Sequence, residues 1–276
     1  MDIHVINLAR RPDRLASIAA QLGRLGLDWK RVEAIDAGDG RELRPAFGRG
    51  LKARAFPATR GDIACSLTHQ RLWRQIAEAG RPAVVLEDDA ILSDVFRRLM
   101  SCDLAGLMRR HDMGVLKLEF WPGPQKSRRF PAGEAIGPVL DEMRLYRMHA
   151  SFLGTCGYVI TPEGARLMND RFRRLKVPVD HALFGREAAM GFRLLRPGFL
   201  NPAPVLHDAS QFGSDIGGQR SDDQQRSFAR RLRDWRVRFH ISREIASGRV
   251  GHVEMRFAGS GSADEDARKV GLNPPY

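Results

Sequence analysis

The chain has 276 residues, 43% of them hydrophobic and 28% charged, which is enough to bury a full core and is the make-up of a globular protein rather than a fibrous or disordered one. Its 45 Lys and Arg against 33 Asp and Glu leave a formal charge of +12, so an anionic partner is expected: a nucleotide, nucleic acid or an acidic membrane surface. Cys65, Cys102 and Cys156 are odd in number and lack CxxC spacing, which argues for reduced thiols in a cytoplasmic protein and against a disulfide scaffold or a zinc site. No apolar run has signal-peptide length or nears the ~20 residues that span a bilayer.

In chain order, HVINL over residues 4–8 predicts a strand. A basic turn with Arg10, Arg11 and Arg14 follows, and Pro12 opens a helix along Leu15, Ile18, Leu22 and Leu25. Guanidinium groups and free helix N–H groups at that turn could hold a phosphate; a solvated basic turn would look the same. Residues 29–36 offer a second strand. Between 38 and 60 periodicity is lost, as in a loop. A helix over 63–79 puts Cys65, His69, Leu72 and Ile76 on one stripe, so His69 faces inward, either as a satisfied core residue or to orient a carboxylate on the next strand.

That next strand is AVVLEDD, 83–89, around which the chain is organised. Four apolar residues run into Glu87, Asp88 and Asp89, with Glu87 and Asp89 expected on one side and Asp88 on the other. Ligands of open α/β sheets bind beyond the carboxyl ends of strands. Hard oxygen donors there suit Mn²⁺ or Mg²⁺; a solvated acidic turn is the plain alternative.

A helix over 95–110 and a strand over 113–119, ending on Glu119, come next. Residues 121–131 (WPGPQKSRRFP) read as a loop and 144–148 as a possible strand, and the rest of 120–150 carries no assignable pattern. A strand over 158–160 leads to a helix opened by Pro162, Asp180 sits at a further helix start, and short strands fall in 193–204 and 205–208. Residues 211–220 (QFGSDIGGQR) have the look of a substrate-covering loop. Phe228, Leu232, Trp235 and Phe239 share a helical face amid Arg226, Arg230, Arg231, Arg233, Arg236, Arg238 and Arg243, a basic amphipathic helix that could lie on an anionic membrane or pack on the body. The expected fold is α/β with a mostly parallel central sheet and helices on both faces, divided into 1–220, a basic helical segment 221–258 and a polar tail 259–276.

VINLARRPDR, GDIACSLTHQRLW, VVLEDDAIL, GTCGYVITPEGA, PVDHAL and SDIGG, in that order, resemble glycosyltransferase family 25 over about residues 3–220. The resemblance implies a GT-A-type nucleotide-sugar-binding fold, a UDP-galactose or UDP-glucose donor, a saccharide or lipid-linked saccharide acceptor such as lipooligosaccharide, an inverting reaction and Mn²⁺. It implies donor contacts from Asn7, Arg11, Arg14, Ser66, His69, Glu87, Asp88, Ser214 and Asp215, with the metal at Asp89 and Glu87 and, on a looser match, His207. Thr68 stands where the family usually has Ser before the His. In-line displacement at the anomeric carbon needs a base for the acceptor hydroxyl, with Asp180 the first candidate and Glu119 the second. The rival readings are a metal-dependent phosphodiesterase or nuclease, and a non-catalytic module for anionic surfaces; nucleic acid is not the expected partner, because aromatic residues are not interleaved with most of the basic patches.

Overall fold

A computed structural model describes residues 1–39, 43, 59–122, 126–171, 177–188, 191–207 and 228–259. The chain begins β1 (Asp2–Asn7), α1 (Pro12–Arg24), β2 (Lys30–Glu33), α2 (Arg60–Ala79) and β3 (Ala83–Glu87). It continues through β4 (Ala90–Leu92), α3 (Val95–Met100), α4 (Leu104–Arg110), β5 (Val115–Lys117), β6 (Glu119–Phe120) and α5 (Lys126–Arg129). The hairpin β7 (Ala132–Leu140) and β8 (Met143–Met148) precedes β9 (Gly157–Ile160), α6 (Pro162–Arg171), α7 (Val179–Phe184), α8 (Phe192–Leu195), β10 (Gly198–Asn201) and β11 (Val205–His207). Last come α9 (Phe228–Ala246) and β12 (Gly251–His252).

Nine strands form one sheet in the order β12-β7-β8-β10-β5-β9-β3-β1-β2, and β4-β11-β6 form a second. The α/β expectation holds, with parallel pairing at β2-β1-β3 and β10-β5 in the large sheet and at β11-β6 in the small one. Elsewhere the large sheet is antiparallel, because β9 inserts between β3 and β5 and the β7-β8 hairpin adds an arm. Alternation places helices on both faces. Val84 and Leu86 of β3 pack with Ile18 and Leu22 of α1 and Phe96 and Leu99 of α3, whereas Ala83 and Val85 pack with Leu72, Trp73 and Ile76 of α2.

Local chemistry sets the element ends. A capping box of Thr59 and Asp62 starts α2, three residues before the periodicity shows, and Gly80, at φ 65°, ends it in the left-handed conformation. The helix expected over 95–110 breaks in two, since Asp103 caps α4 by accepting from Gly106 N at 2.7 Å. β7 lies where the sequence places no element, because its Gly and Pro obscure the alternation; it pairs with β8 along its length and bulges beside Gly137 and Pro138. Residues 192–195 are helical rather than extended. After α9 the chain returns to the body, where β12 pairs with β7 and Met255 is buried in the core. Most of the 38–60 loop, the 211–220 loop and the tail from 260 lie outside the described residues.

Candidate functional site

β1 and β3 run parallel and end side by side, and α1 starts from the turn after β1. Their ends open on a cavity of about 220 Å³. One wall is apolar, with Ile6, Leu8, Ala34, Ile35 and Ala37; the other carries Arg10, Arg14, Cys65, Thr68, His69, Trp121 and His207, with Glu87, Asp88 and Asp89 between them.

β3 stops at Glu87, so strand alternation does not extend through the acids, and the expected pairing of Glu87 with Asp89 on one side is not what forms. Asp88 and Asp89 instead share Arg14, whose Nη1 lies 3.2 Å from Asp88 Oδ1 and 3.5 Å from Asp89 Oδ2. Asn7 Nδ2 donates to Asp88 Oδ2 at 2.7 Å and to the Arg11 carbonyl at 2.9 Å, tying the acid to the turn before α1. Burial raises the pKa of Asp88 despite the opposing bonds from Asn7 and Arg14, and the neighbouring Asp89 charge adds to the rise.

Asp89 Oδ2 is 3.5 Å from His207 Nε2, and Cys156 Sγ is 3.5 Å from the other oxygen. Burial would raise the pKa of Asp89, yet His207 and Arg14 hold it below the usual range. The reverse applies to His207: burial disfavours its charge, but the hydrogen bond to Asp89 and the charges of Asp89, Glu119 and Glu87 lift it to about 9. The spot between them therefore stabilises positive charge. Trp121 lies against His207 with ring centroids 5.3 Å apart, and the Arg128 guanidinium lies over the Trp121 ring, 3.5 Å from its centroid.

On the α2 side, Thr68 Oγ1 accepts from Ile35 N at 2.9 Å, joining the helix to the apolar wall. His69 faces inward as its stripe predicts. Its Nδ1 is 2.8 Å from Tyr158 Oη, which also accepts from Trp73 Nε1 at 2.8 Å, and its Nε2 lies 3.3 Å from Glu87 Oε1. Thr155 Oγ1 donates to the same Glu87 oxygen at 2.6 Å.

The expected residues separate by position. Arg14, His69, Glu87, Asp88, Asp89 and His207 meet at the cavity. Asn7 is 1% exposed and acts through Asp88; Ser66 is buried too, its hydroxyl bonded to the Asp62 carbonyl at 2.7 Å. Arg11 pairs with Asp13 at 2.8 Å. None of these three is in the cavity wall. Glu119 is 1% exposed, paired with Lys117 and accepting from Gly157 N at 2.9 Å, and it is not in the cavity wall. Asp180 sits in the first turn of α7, partly exposed, accepting from His181 N at 2.8 Å and close enough for its charge to bear on Cys65 and Lys117. Ser214 and Asp215 lie outside the described residues. Trp121 and Arg128 fall in a stretch without periodicity, and only the density of aromatic and basic residues in FWPGPQKSRRF could have marked them.

The oxygen-rich rim fits Mn²⁺ or Mg²⁺, which bind through one or two carboxylates and complete their shells with water and phosphate. Glu87, Asp89 and His207 all line the cavity, Glu87 turned to His69 and Thr155 and Asp89 to His207 and Arg14, so these donors would have to turn toward one another to share an ion.

Residues 1–183 match glycosyltransferase family 25, described as a lipopolysaccharide-biosynthesis family. The chain belongs to that family. Procollagen galactosyltransferase 1-B of Xenopus laevis is 29% identical over 193 residues, 66% of this chain and 30% of that protein. The lacto-N-neotetraose biosynthesis glycosyltransferase LgtB of Neisseria meningitidis is 29% identical over 198 residues, 67% of this chain and 68% of that one. The inactive glycosyltransferase 25 family member 3 of Mus musculus is 32% identical over 108 residues, 35% of this chain and 18% of that one. The chain thus spans under a third of the procollagen enzyme and about two thirds of LgtB.

Proposed function

We propose that the chain is an inverting hexosyltransferase that moves galactose or glucose from a UDP-sugar to a saccharide acceptor, lipopolysaccharide core, lipooligosaccharide or another surface glycan. The observation that carries the reading is the cavity at the ends of β1 and β3, with an apolar wall suited to a flat base or sugar ring, Arg10 and Arg14 suited to phosphate, and three carboxylates between them. Relatives named as a procollagen galactosyltransferase and as LgtB support the choice of sugar and acceptor class. Glu87, Asp89 and His207 would hold Mn²⁺ or Mg²⁺, which when bound supplies Lewis-acid neutralisation of the departing diphosphate. Arg14 orients Asp88 and Asp89, and Asn7 locks Asp88 against the turn that presents the arginines. Asp180, outside the cavity lining but near enough for its charge to bear on Cys65 in that lining, would take the acceptor proton, a role worth ~10²–10⁴ in rate.

Thermal unfolding with a panel of nucleotides and nucleotide sugars tests the donor site, because a ligand that binds only the folded state raises Tm. A rise with UDP or a UDP-sugar that needs Mn²⁺ and disappears in Asp89→Ala is expected. No rise with any nucleotide would sink the reading.

We further infer that α9 lies on an anionic membrane. Trp235 and Phe239 are 60% and 49% exposed and stack at 5.6 Å, and Arg236, Arg238 and Arg243 around them are exposed. Aromatic rings flanked by guanidinium groups complement an acidic bilayer surface. No helix among the described residues is long and apolar enough to cross a membrane, so attachment would be peripheral, on the inner face of the cytoplasmic membrane. The side chains of Arg230, Arg231 and Arg233 are outside the described set, so the test uses Arg236, Arg238 and Arg243. Reversal of all three to Glu is expected to release the protein from phosphatidylglycerol vesicles in sedimentation; unchanged sedimentation would make the helix structural.

A further inference from the structure

The cavity holds a second set of donors, different in chemistry from the acidic rim. Cys65 and His69 stand four residues apart on α2 and share a face, and Glu87 meets them from the end of β3. Their ligand atoms all lie within 4.8 Å of one another, the one such group of three among the described residues. The acids Glu87, Asp88 and Asp89 do not converge in this way, because Asp88 and Asp89 turn to Arg14 and His207.

His69 is the telling member. It is fully buried, yet Nε2 makes no hydrogen bond, its 3.3 Å approach to Glu87 lying off a hydrogen-bond line. A buried polar atom left so costs about 1–3 kcal/mol, which asks for a ligand. The other nitrogen is anchored as metal-binding imidazoles are: Nδ1 sits 2.8 Å from Tyr158 Oη, itself fixed by Trp73, and donation of an Nδ1 proton to that oxygen leaves the Nε2 lone pair facing Glu87 and the thiol. Thr155 holds the Glu87 carboxylate in turn.

We propose that Cys65, His69 and Glu87 bind a divalent ion of the zinc class through sulfur, nitrogen and oxygen, with the fourth position open to the cavity that all three line. Binding releases the Cys65 proton to solvent and makes the thiolate the ligand. A search for CxxC spacing passes over this site, since its ligands are one turn apart on a helix and completed by a strand. Glu87 is shared with the Mn²⁺ or Mg²⁺ site proposed above, so the two ions would compete for it, but the metal alone is the probe and only this site places sulfur on it.

Titration of the purified, chelator-treated protein with Co²⁺ tests it. One equivalent is expected to give a thiolate-to-cobalt charge-transfer band in the near ultraviolet, lost in Cys65→Ser, weakened in His69→Gln, and kept in Asp89→Asn and Cys156→Ala. No band, a band unchanged in Cys65→Ser, or a band lost only in Cys156→Ala would overturn the proposal. Should Cys65→Ser fail to fold, alkylation of the wild type decides: Zn²⁺ is expected to slow modification of Cys65 at least tenfold and leave Cys102 unchanged, and equal slowing or none would overturn it.

Discussion

Two strands of the large sheet end in buried charge, and only one of them makes a site. At the end of β3, Asp88 and Asp89 are met by Arg14 from α1 and His207 from β11, partners from other elements that leave the carboxylates at a cavity rim. Past the end of β5, Glu119 is met by Lys117, two residues back in the chain, and the pair is sealed: Lys117 Nζ lies 4.9 Å and 4.6 Å from the Phe152 and Phe184 ring centroids and donates to the Gly154 carbonyl at 2.7 Å. Gly154 has φ 115°, and a Cβ there would clash with Glu119 Oε1, so the closure needs glycine. A carboxylate neutralised locally is walled in, whereas one neutralised by distant elements keeps a face for ligand.

The largest expected effect breaks the sealed pair. Glu119→Gln leaves the Lys117 ammonium buried without a counter-charge, and burial already pushes that amine down, so a loss of about 3–5 kcal/mol is expected in denaturant unfolding. Lys117→Met together with Glu119→Gln removes both charges and keeps an acceptor for Gly157 N, and recovery of most of the loss is expected. A single-variant loss below about 1 kcal/mol would mean the pair is wet and the contrast with the rim is mistaken. Next in size is Asn7→Ala. It deprives Asp88 of its 2.7 Å donor and Arg31 of its acceptor, and should lower stability by about 1–3 kcal/mol while also weakening the nucleotide response measured by thermal shift. A neutral result would show that Arg14 alone positions Asp88.

The same contrast explains what was legible in the sequence. Strands with both faces buried announce themselves, so β1, β3 and β9 could be read, and the stripe on α2 placed His69 inward. AVVLEDD and GVLKLE look alike as apolar runs ending in acid, so Glu119 was taken as a candidate base; what separates them is the pair of aromatic rings, brought in from residues 152 and 184, that no local pattern encodes. β7 was hidden by its own Gly137 and Pro138, and its strand character comes from pairing with β8. The cavity wall of Trp121 and His207 depends on the small second sheet, whose strands are only two or three residues long and carry no periodicity of their own.

The smallest expected effect lies at the far end of the molecule, where α9 is fastened by charge at the surface. Glu244 Oε2 accepts from His149 Nδ1 at 3.0 Å and from Arg186 Nη1 at 3.2 Å, and Arg249 stands 3.9 Å from its other oxygen. The His149 ring is shared with Glu134 from β7, 3.0 Å from Nε2. Burial would raise the pKa of Glu244, but the His149 and Arg186 bonds and their charges outweigh it and hold it below its ordinary 4.5. A folded-state value below the unfolded one means that this carboxylate favours docking at all pH above about 4.5 and that its contribution fades as pH falls through the lower folded value. Such partly exposed pairs are worth at most about 1 kcal/mol, so acid should loosen the helix without unfolding the sheet. Hydrogen-exchange protection of the amides of 235–246 is expected to hold from pH 6 down to about pH 4.5 and to fall below it in the wild type, and to be low and flat in Glu244→Gln. Equal protection in the two proteins at pH 6 would show that the helix is held by its apolar contacts and that the charge cluster only decorates the joint.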